Sequence, residues 1–159
     1  MINTKINFCG VEFKNPIVTA SGTFGFGEEY DEYVSIDEYG GFGAKGLKRY
    51  PREGNKPPRI AETPSGILNS VGLQNPGVEY FSEHIMPSLA KRDTNVIANM
   101  SGNTVEEYCE MAEILSETDT AIIEMNISCP NVKHGGLAFG TDPKTVYELT
   151  KAVKKHSKK

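Results

Sequence analysis

The stretch that decides the fold runs from Ala121 to Asn131 and reads Ala-Ile-Ile-Glu-Met-Asn-Ile-Ser-Cys-Pro-Asn. Its first five residues form an apolar run that is typical of a buried strand, and the strand stops before Pro130. Amide and thiol side chains follow it directly, at Asn126, Cys129 and Asn131. Such groups make a poor core. They suit a site that holds a planar, amide-rich ligand over a proton-abstracting group.

Three further strand-like runs precede this one, and helical periodicity follows each of the four. The predicted strands are Ile17 to Ala20, Gly41 to Lys45, Asn95 to Asn99 and Thr120 to Met125. The predicted helices are Glu28 to Val34, Val78 to Ala90, Val105 to Leu115 and Thr145 to Val153. A hairpin is expected from Ile6 to Phe13, around Cys9-Gly10. Repeated strand, loop and helix predict parallel strands with right-handed crossovers.

Two helix starts carry explicit signals. Thr104 with Glu107 makes a capping box, and Asp142-Pro143 places proline at the first turn of the last helix. The loops that leave the strands carry the glycine, asparagine, proline and cysteine residues, and the loop over residues 46–77 is very long. In a βα barrel the active site is built from such loops.

The fold class is therefore α/β, of the (β/α)8 barrel type, with about the first four βα units and an N-terminal β-hairpin. A full barrel needs eight units and typically about 250 residues, whereas this chain has 159. We expect residues 1–159 to be the N-terminal half of a single barrel domain, from a truncated sequence. The alternative is a complete, small four-stranded α/β domain.

Bulk properties exclude several classes of protein. The net charge is -4, and the lysines and arginines are scattered until the last turn, so no nucleic-acid footprint is expected. No apolar run approaches the roughly 18 residues of a membrane span, and the N-terminus does not begin a signal peptide. The three cysteines are widely spaced, without a CxxC pair. We expect a cytoplasmic protein with reduced thiols and no metal site.

Two side chains have the chemistry of a redox site on a strand end. Cys129 can serve as a general base when its thiolate is within reach of a proton. Alone it fits a buried packing thiol better, but Asn126 and Asn131 beside it match the pattern of a pyrimidine ring. Lys45 ends a glycine-rich run, where it can meet an anionic substrate or a reduced flavin. The other reading is a solvated loop lysine.

Other motifs carry less weight. Gly41 to Gly46 fits the G-x-G-x-x-G dinucleotide pattern, but no helix start follows it, so we reject that reading. The loop from Asn69 to Gly77 offers backbone N–H groups for a carboxylate, or is an ordinary turn. The segment Ala20 to Gly25 allows close approach to a phosphate or a flavin. His134 fits a surface loop better than a Cys–His pair.

Taken together, these segments resemble the N-terminal half of a class 1 dihydroorotate dehydrogenase. The resemblance spans essentially the whole chain, from Lys14-Asn15-Pro16 through Asn69 to Gly77 to Thr141-Asp142-Pro143. Gly72 to Gly77 and Asn131 to Thr141 are similar to the NAD-dependent subclass 1B. The quinone-linked class 2 enzymes use a serine base where this chain has Cys129.

The resemblance implies an FMN enzyme of pyrimidine biosynthesis that oxidises (S)-dihydroorotate to orotate. Cys129 would be the catalytic base that removes the C5 proton. The implied substrate-binding residues are Lys45, Asn69, Val71, Gly72, Leu73, Asn126 and Asn131. The implied FMN-binding residues are Ala20, Ser21, Lys45, Gly46, Asn99 and Asn126. The family's remaining flavin and phosphate contacts come from later strands that this chain does not contain.

In this subclass the resemblance implies that electrons reach NAD through a partner subunit carrying FAD and an iron–sulfur cluster, bound to a homodimer of catalytic subunits. Four alternatives stay open: the fumarate-dependent class 1A enzyme, a dihydropyrimidine dehydrogenase domain, a dihydrouridine synthase, and an inactive half-barrel that only self-associates. The acidic charge disfavours a tRNA-acting enzyme. Activity of the isolated 159-residue chain is not expected.

Overall fold

A computed structural model of the chain describes residues 2–128 and 137–159. In chain order the strands are β1 (Ile6–Phe8), β2 (Val11–Phe13), β3 (Gly41–Gly43), β4 (Ile60–Thr63), β5 (Gly66–Asn69), β6 (Asn95–Met100) and β7 (Ile122–Met125). The α-helices are α1 (Val78–Tyr80), α2 (Met86–Leu89), α3 (Val105–Ser116), α4 (Leu137–Gly140) and α5 (Pro143–His156). Single 3-10 turns span Glu28–Tyr30 and Ile36–Glu38.

The central element is a parallel sheet in the order β3-β6-β7. Its register pairs Gly41 with Asn95 and Ile97 with Ile122. Helices connect consecutive strands, as the alternating pattern predicted, and the hairpin β1–β2 confirms the predicted N-terminal turn. Sequential parallel strands with intervening helices are the arrangement expected of one wall of a βα barrel.

The predicted first strand, Ile17 to Ala20, is wrong in extent. One parallel bridge joins Val18 to Gly41, and the N–H of Thr19 donates to the carbonyl of Gly41 over 3.2 Å. The ladder stops there because the Thr19 hydroxyl accepts the N–H of Gly43 at 3.1 Å, so a side chain takes the place of the next backbone bond. The segment still lies beside β3 and completes that edge of the sheet.

The two faces of the sheet differ in character. Successive side chains of a strand point to opposite faces, and one face packs on the helices to form the hydrophobic core. The sheet contributes Phe42, Val96, Ala98 and Met100 to it, and α3 contributes Tyr108, Met111, Ala112 and Leu115. The opposite face carries Gly41, Gly43, Ile97, Asn99, Ile122 and Glu124. It is sparse in apolar bulk and holds two polar side chains.

The predicted helix over Glu28 to Val34 is also wrong. The chain forms two short 3-10 turns instead, and Ser35 caps the second by accepting the N–H of Asp37. Arg92 holds this segment from outside, donating to Asp31 at 2.7 Å and to Asp37 at 2.9 Å. These hydrogen bonds keep the pKa of the Asp31 carboxyl below its usual range. This segment is therefore held by its ion pairs with Arg92 and not by the apolar face of a helix.

The predicted helix over Val78 to Ala90 forms, with a π-helical stretch at Phe81–Ile85 between α1 and α2. Pro87 explains the interruption, because it lacks an N–H and its ring crowds the carbonyl one turn earlier. Helices α3 and α5 confirm both predicted starts. The side chain of Thr104 accepts the N–H of Glu107, and that of Asp142 accepts the N–H of Thr145 at 2.9 Å.

The long loop over residues 46–77 contains an element that we did not predict. Strands β4 and β5 form an antiparallel hairpin, with Ile60 opposite Asn69 and Thr63 opposite Gly66. Every residue of both strands is exposed. The hairpin is therefore exposed to solvent, and Asn69 is the last residue of its second strand.

Glycine is required on the inner face of β3, which gives a stability prediction. A Cβ on Gly43 would lie 2.6 Å from the carbonyl oxygen of Thr19 and 3.0 Å from the N–H nitrogen of Ser21. Gly43→Ala should therefore lower the free energy of unfolding by about 1–3 kcal/mol, the usual cost of overpacking. Urea denaturation followed by circular dichroism measures it. Gly66→Ala is the matched control, since a Cβ there meets nothing within 4 Å; equal losses would contradict the argument.

Candidate active site

Most of the predicted site residues line one cavity at the carboxyl ends of the parallel strands. The cavity measures about 390 Å³. Its lining consists of Ser21, Gly22, Lys45, Gly46, Asn69, Val71, Leu73, Asn99 and Asn126. Of the remaining predicted residues, Ala20 and Gly72 adjoin the lining in sequence, while Cys129 and Asn131 lie outside the described residues, as does His134. The structure thus brings together residues far apart in the chain.

The turn after β3 places Lys45 and Gly46. The N–H of Lys45 donates to the carbonyl of Gly25 at 2.9 Å, and the Ser21 hydroxyl donates to the carbonyl of Ala44 at 2.7 Å. A Cβ on Gly46 would lie 3.1 Å from Oδ1 of Asn99. Glycine at this position therefore lets the turn pass close to the end of β6.

Asn99 and Asn126 are linked at the ends of β6 and β7. Nδ2 of Asn126 donates to Oδ1 of Asn99 at 3.3 Å, and Nδ2 of Asn99 donates to the carboxylate of Glu124. The backbone of Asn126 is held as well, because its N–H donates to Met100 at 2.8 Å and its carbonyl accepts from Tyr108 at 2.5 Å. Asn99 is buried. Its amide therefore depends on these two partners.

Asn75 organises the loop that carries Val71 and Leu73. Its Oδ1 accepts the N–H groups of Lys48 and Gly77, both at 3.0 Å, and its Nδ2 donates to the carbonyl of Leu73 at 2.7 Å. Asn75 is itself buried. A single amide thus ties the candidate substrate loop to the chain that follows Lys45.

The same loop has an unusual backbone. Gly72 has a φ of 77° and Leu73 a φ of 55°, so two consecutive residues adopt the left-handed region. For a leucine this conformation is strained, and strain of this kind persists where the surroundings over-determine it. The N–H of Asn55 donates to the carbonyl of Val71, and Arg59 donates to Gln74 at 2.6 Å. These contacts are part of the surrounding structure that holds Gly72 and Leu73 in this conformation.

The charge of the cavity lining is positive. Among residues 2–128 and 137–159, Lys45 is the single charged side chain of the lining, and its ammonium group forms no hydrogen bond or ion pair there. The other side chains offer amides, a hydroxyl and apolar surface. Such a lining suits an anionic or electron-rich planar ligand. No cluster of three His, Cys, Asp or Glu side chains able to hold a metal occurs in the part of the chain that the structure describes.

Sequence reasoning missed residues that act behind the lining. Asn75, Asn55 and Arg59 hold the loop, and Glu124 holds Asn99. Asn75 was visible only as one more polar residue of a loop. Glu124 carried a detectable signal, because it is the one charged residue in the otherwise apolar run from Ala121 to Met125.

The chain belongs to the dihydroorotate dehydrogenase family, whose pattern it matches over residues 3–159. Membership of this family implies a flavin cofactor. Among curated proteins it is 55% identical over 157 residues to the catalytic subunit of dihydroorotate dehydrogenase B (NAD(+)) of Alkaliphilus metalliredigens, covering 99% of this chain and 52% of that protein. The corresponding subunits of Petrotoga mobilis and Bacteroides fragilis are 54% and 51% identical, over 98% and 100% of this chain and 52% and 53% of theirs.

A solved structure shows the same fold. The dihydroorotate dehydrogenase of Eimeria tenella, crystallised in complex with ferulenol, superimposes with a TM-score of 0.74 at 19% sequence identity. The likeness covers 97% of this chain and 44% of that one, which confirms the predicted partial barrel. The chain spans about half the length of the curated relatives that it matches. Within the described ranges no helix has both the length and the apolar character needed to cross a membrane.

The hydrogen bonds of Asn75 give a testable prediction. Asn75→Ala would leave two backbone N–H groups and one carbonyl without this partner in a buried place. The variant should lose roughly 1–3 kcal/mol of unfolding free energy, measured by urea denaturation. Gln74→Ala removes an exposed neighbour whose side chain accepts one hydrogen bond within the described residues, from Arg59, and should cost less. A smaller loss in Asn75→Ala than in this control would refute the anchoring role.

Proposed function

We propose that residues 1–159 form the first half of the FMN-binding barrel of an NAD-linked dihydroorotate dehydrogenase, acting in pyrimidine biosynthesis. The observation that carries the proposal is the cavity at the strand ends. It unites most of the residues that the family resemblance assigns to flavin and substrate, from the segment after the Val18 bridge, from the ends of β3, β6 and β7, and from β5 and the loop after it. The names of the relatives support the NAD-linked type.

The cavity fits a flavin on chemical grounds. Gly22 and Gly46 leave their side of the lining free of side chains, and Ser21, Lys45 and Asn99 supply a hydroxyl, an ammonium and an amide. We infer that these groups, with Ala20 and Asn126, hold FMN. An ammonium beside a flavin favours the electron-rich reduced ring. The phosphate contacts are expected from the part of the relatives that lies beyond the half matched here.

The substrate has a carboxylate and a ring of amide groups, and the lining matches both. We place the carboxylate at Asn69 and the backbone N–H groups of Val71, Gly72 and Leu73. Successive backbone N–H groups around a glycine can converge on one carboxylate. Asn126 and Asn131 would bind the ring amides, since each amide side chain can both donate and accept. Lys45 would contact substrate and flavin together.

In this proposal, Cys129 acts as the general base and removes the proton from C5 of dihydroorotate. FMN, when bound, supplies the acceptor for the hydride that leaves C6. Asn126 and Asn131 orient the ring so that the C5 proton faces the thiolate. Lys45 balances negative charge near the ring edge. The assignment of Cys129 and Asn131 rests on the sequence motif.

The relatives are named catalytic subunits, which implies a separate partner subunit for them. We propose the same for this protein: a cytoplasmic homodimer of catalytic subunits, joined by a subunit that carries FAD and an iron–sulfur cluster and passes electrons to NAD. The fumarate-dependent class is the second candidate. It requires electron transfer to fumarate without a partner, so an assay of the complete protein with each acceptor separates the two.

A prediction on the base tests the reaction. In the complete protein, Cys129→Ala should abolish most dihydroorotate oxidation at neutral pH and leave flavin bound, because proton abstraction is lost while the cavity remains. Cys129→Ser should retain part of the activity, mainly at higher pH. Steady-state assays and the flavin absorbance bands measure both effects.

Cys109→Ala is the matched control for this test. Burial raises the pKa of the Cys109 thiol, and that residue lies on α3 in the core, so its loss should leave turnover intact. Normal turnover in Cys129→Ala would remove the proposed base.

A prediction on Asn69 tests substrate anchoring. Asn69→Ala in the complete protein should weaken orotate binding by about 1–3 kcal/mol, because a polar group of the ligand loses its partner. Titration of orotate against the flavin spectrum measures the affinity. Leu68→Ala is the control, since its side chain lies on the opposite face of β5. Unchanged affinity in Asn69→Ala would place the carboxylate elsewhere.

A further inference from the structure

One acidic side chain stands behind the cavity and has no part in the proposed reaction. Glu124 lies on β7, directly opposite Asn99 of β6 in the parallel register. Its carboxylate accepts from Nδ2 of Asn99, and Oδ1 of Asn99 accepts from Nδ2 of Asn126 at 3.3 Å. Oδ1 of Asn126 in turn accepts the N–H and the hydroxyl of Ser128, both at 3.2 Å. The four residues form one directional chain of hydrogen bonds.

The direction of that chain is set at both ends, because the carboxylate of Glu124 can only accept and the backbone N–H of Ser128 can only donate. An ionised carboxylate offers acceptors only, whereas an asparagine amide can present either its carbonyl or its amino group. Beside Glu124, Asn99 must therefore turn its amino group towards the carboxylate. Its carbonyl then faces Asn126, which must donate a hydrogen bond to it from its own amino group. The carbonyl of Asn126 is left to hold Ser128.

Two contacts hold the backbone of Asn126 and leave its amide orientation open, whereas the backbone N–H of Ser128, which can only donate, favours the same orientation of the amide as Glu124 does. The N–H of Asn126 is fixed by Met100 and its carbonyl by Tyr108. Neither contact distinguishes the two rotational states of the side-chain amide. Asn99 is 3% exposed, so water has little access to settle its orientation. Glu124 is exposed on β7. Within residues 2–128 and 137–159 its carboxylate forms no ion pair, and its hydrogen bond is the one from Asn99.

We propose that Glu124 is a positioning residue that, together with the N–H of Ser128, fixes the amide orientation of Asn126 through Asn99, and with it the donor–acceptor pattern that a pyrimidine ligand meets. The proposal rests on the proposed function for the identity of that ligand. Without Glu124, Asn99 is free to reverse. A reversed Asn99 presents an amino group to the amino group of Asn126, which must then rotate and release Ser128.

The test measures orotate affinity in the complete flavin-loaded protein, by titration against the flavin spectrum. Glu124→Leu keeps much of the side-chain volume and removes the acceptor, and should raise the Kd for orotate roughly tenfold. Glu124→Gln keeps a carbonyl that can still accept from Asn99, and should remain within about threefold of the unmodified protein. Glu62→Leu is the matched control, an exposed glutamate on β4, and should leave the Kd unchanged.

A double-mutant cycle separates positioning from a merely structural role. If Glu124 acts through Asn126, the double variant Glu124→Leu/Asn126→Ala should bind orotate within about twofold of Asn126→Ala alone. Additive losses, or an equal loss in Glu124→Gln and Glu124→Leu, would overturn the proposal. If Glu124→Leu does not fold, Glu124→Ala takes its place in the same cycle, and failure of both shows a structural role and overturns it too.

The outcome also distinguishes this inference from the proposed function. An unmodified complete protein that binds no orotate would refute the proposed function itself. An unmodified protein that binds orotate, with a Glu124→Leu variant of equal affinity, would refute only the positioning role.

Discussion

The end of β6 is the point on which the site depends. There the parallel ladder continues past the strands on both sides. The N–H of Leu47 donates to the carbonyl of Asn99 at 2.8 Å, and the N–H of Asn126 donates to that of Met100 at 2.8 Å. These two hydrogen bonds hold the turn after β3 and the turn after β7 against the end of β6, one on each side of it. Lys45 and Asn126 share a cavity because of them.

The inner face of the sheet makes room for that cavity. Gly41 lets the ring of Phe13 pack closely on this face, and Gly43 lets the backbone of Thr19 do so. The polar residues on this face, Asn99 and Glu124, satisfy one another. A buried amide that is hydrogen-bonded at both ends carries little of the penalty of an unpaired polar group. The core on the opposite face supplies the hydrophobic stabilisation, so the two tasks occupy separate faces.

Patterns that act over short distances in sequence were predictable. The caps at Thr104 and Asp142 and the apolar run of β6 depend on neighbouring residues, and the structure confirms them. The helix expected at Glu28 failed because its segment is held by Arg92, which no local pattern announces. Pro87 indicates where this helix is disturbed, but it does not indicate that the disturbance takes the form of a π-helical stretch.

The site was predictable in its lining and less so in its supports. Lys45, Asn99 and Asn126 follow strands, and parallel topology alone brings strand ends together. Asn75 reaches Lys48 across 27 positions, and Glu124 reaches Asn99 across 25. Neither pairing has a local signature. Supports of this kind arise from register, which the sequence specifies only through the whole fold.

The β4–β5 hairpin has a consequence for the order in which the chain folds. It lies between β3 and β6, so their pairing must close a loop that includes it, and the entropic cost of closure rises with loop length. Pairing of β6 with β7 closes a shorter loop, around α3. Contacts close in sequence form early. The Asn99–Asn126 half of the cavity is therefore expected to assemble first, as a template on which the Lys45 turn later docks.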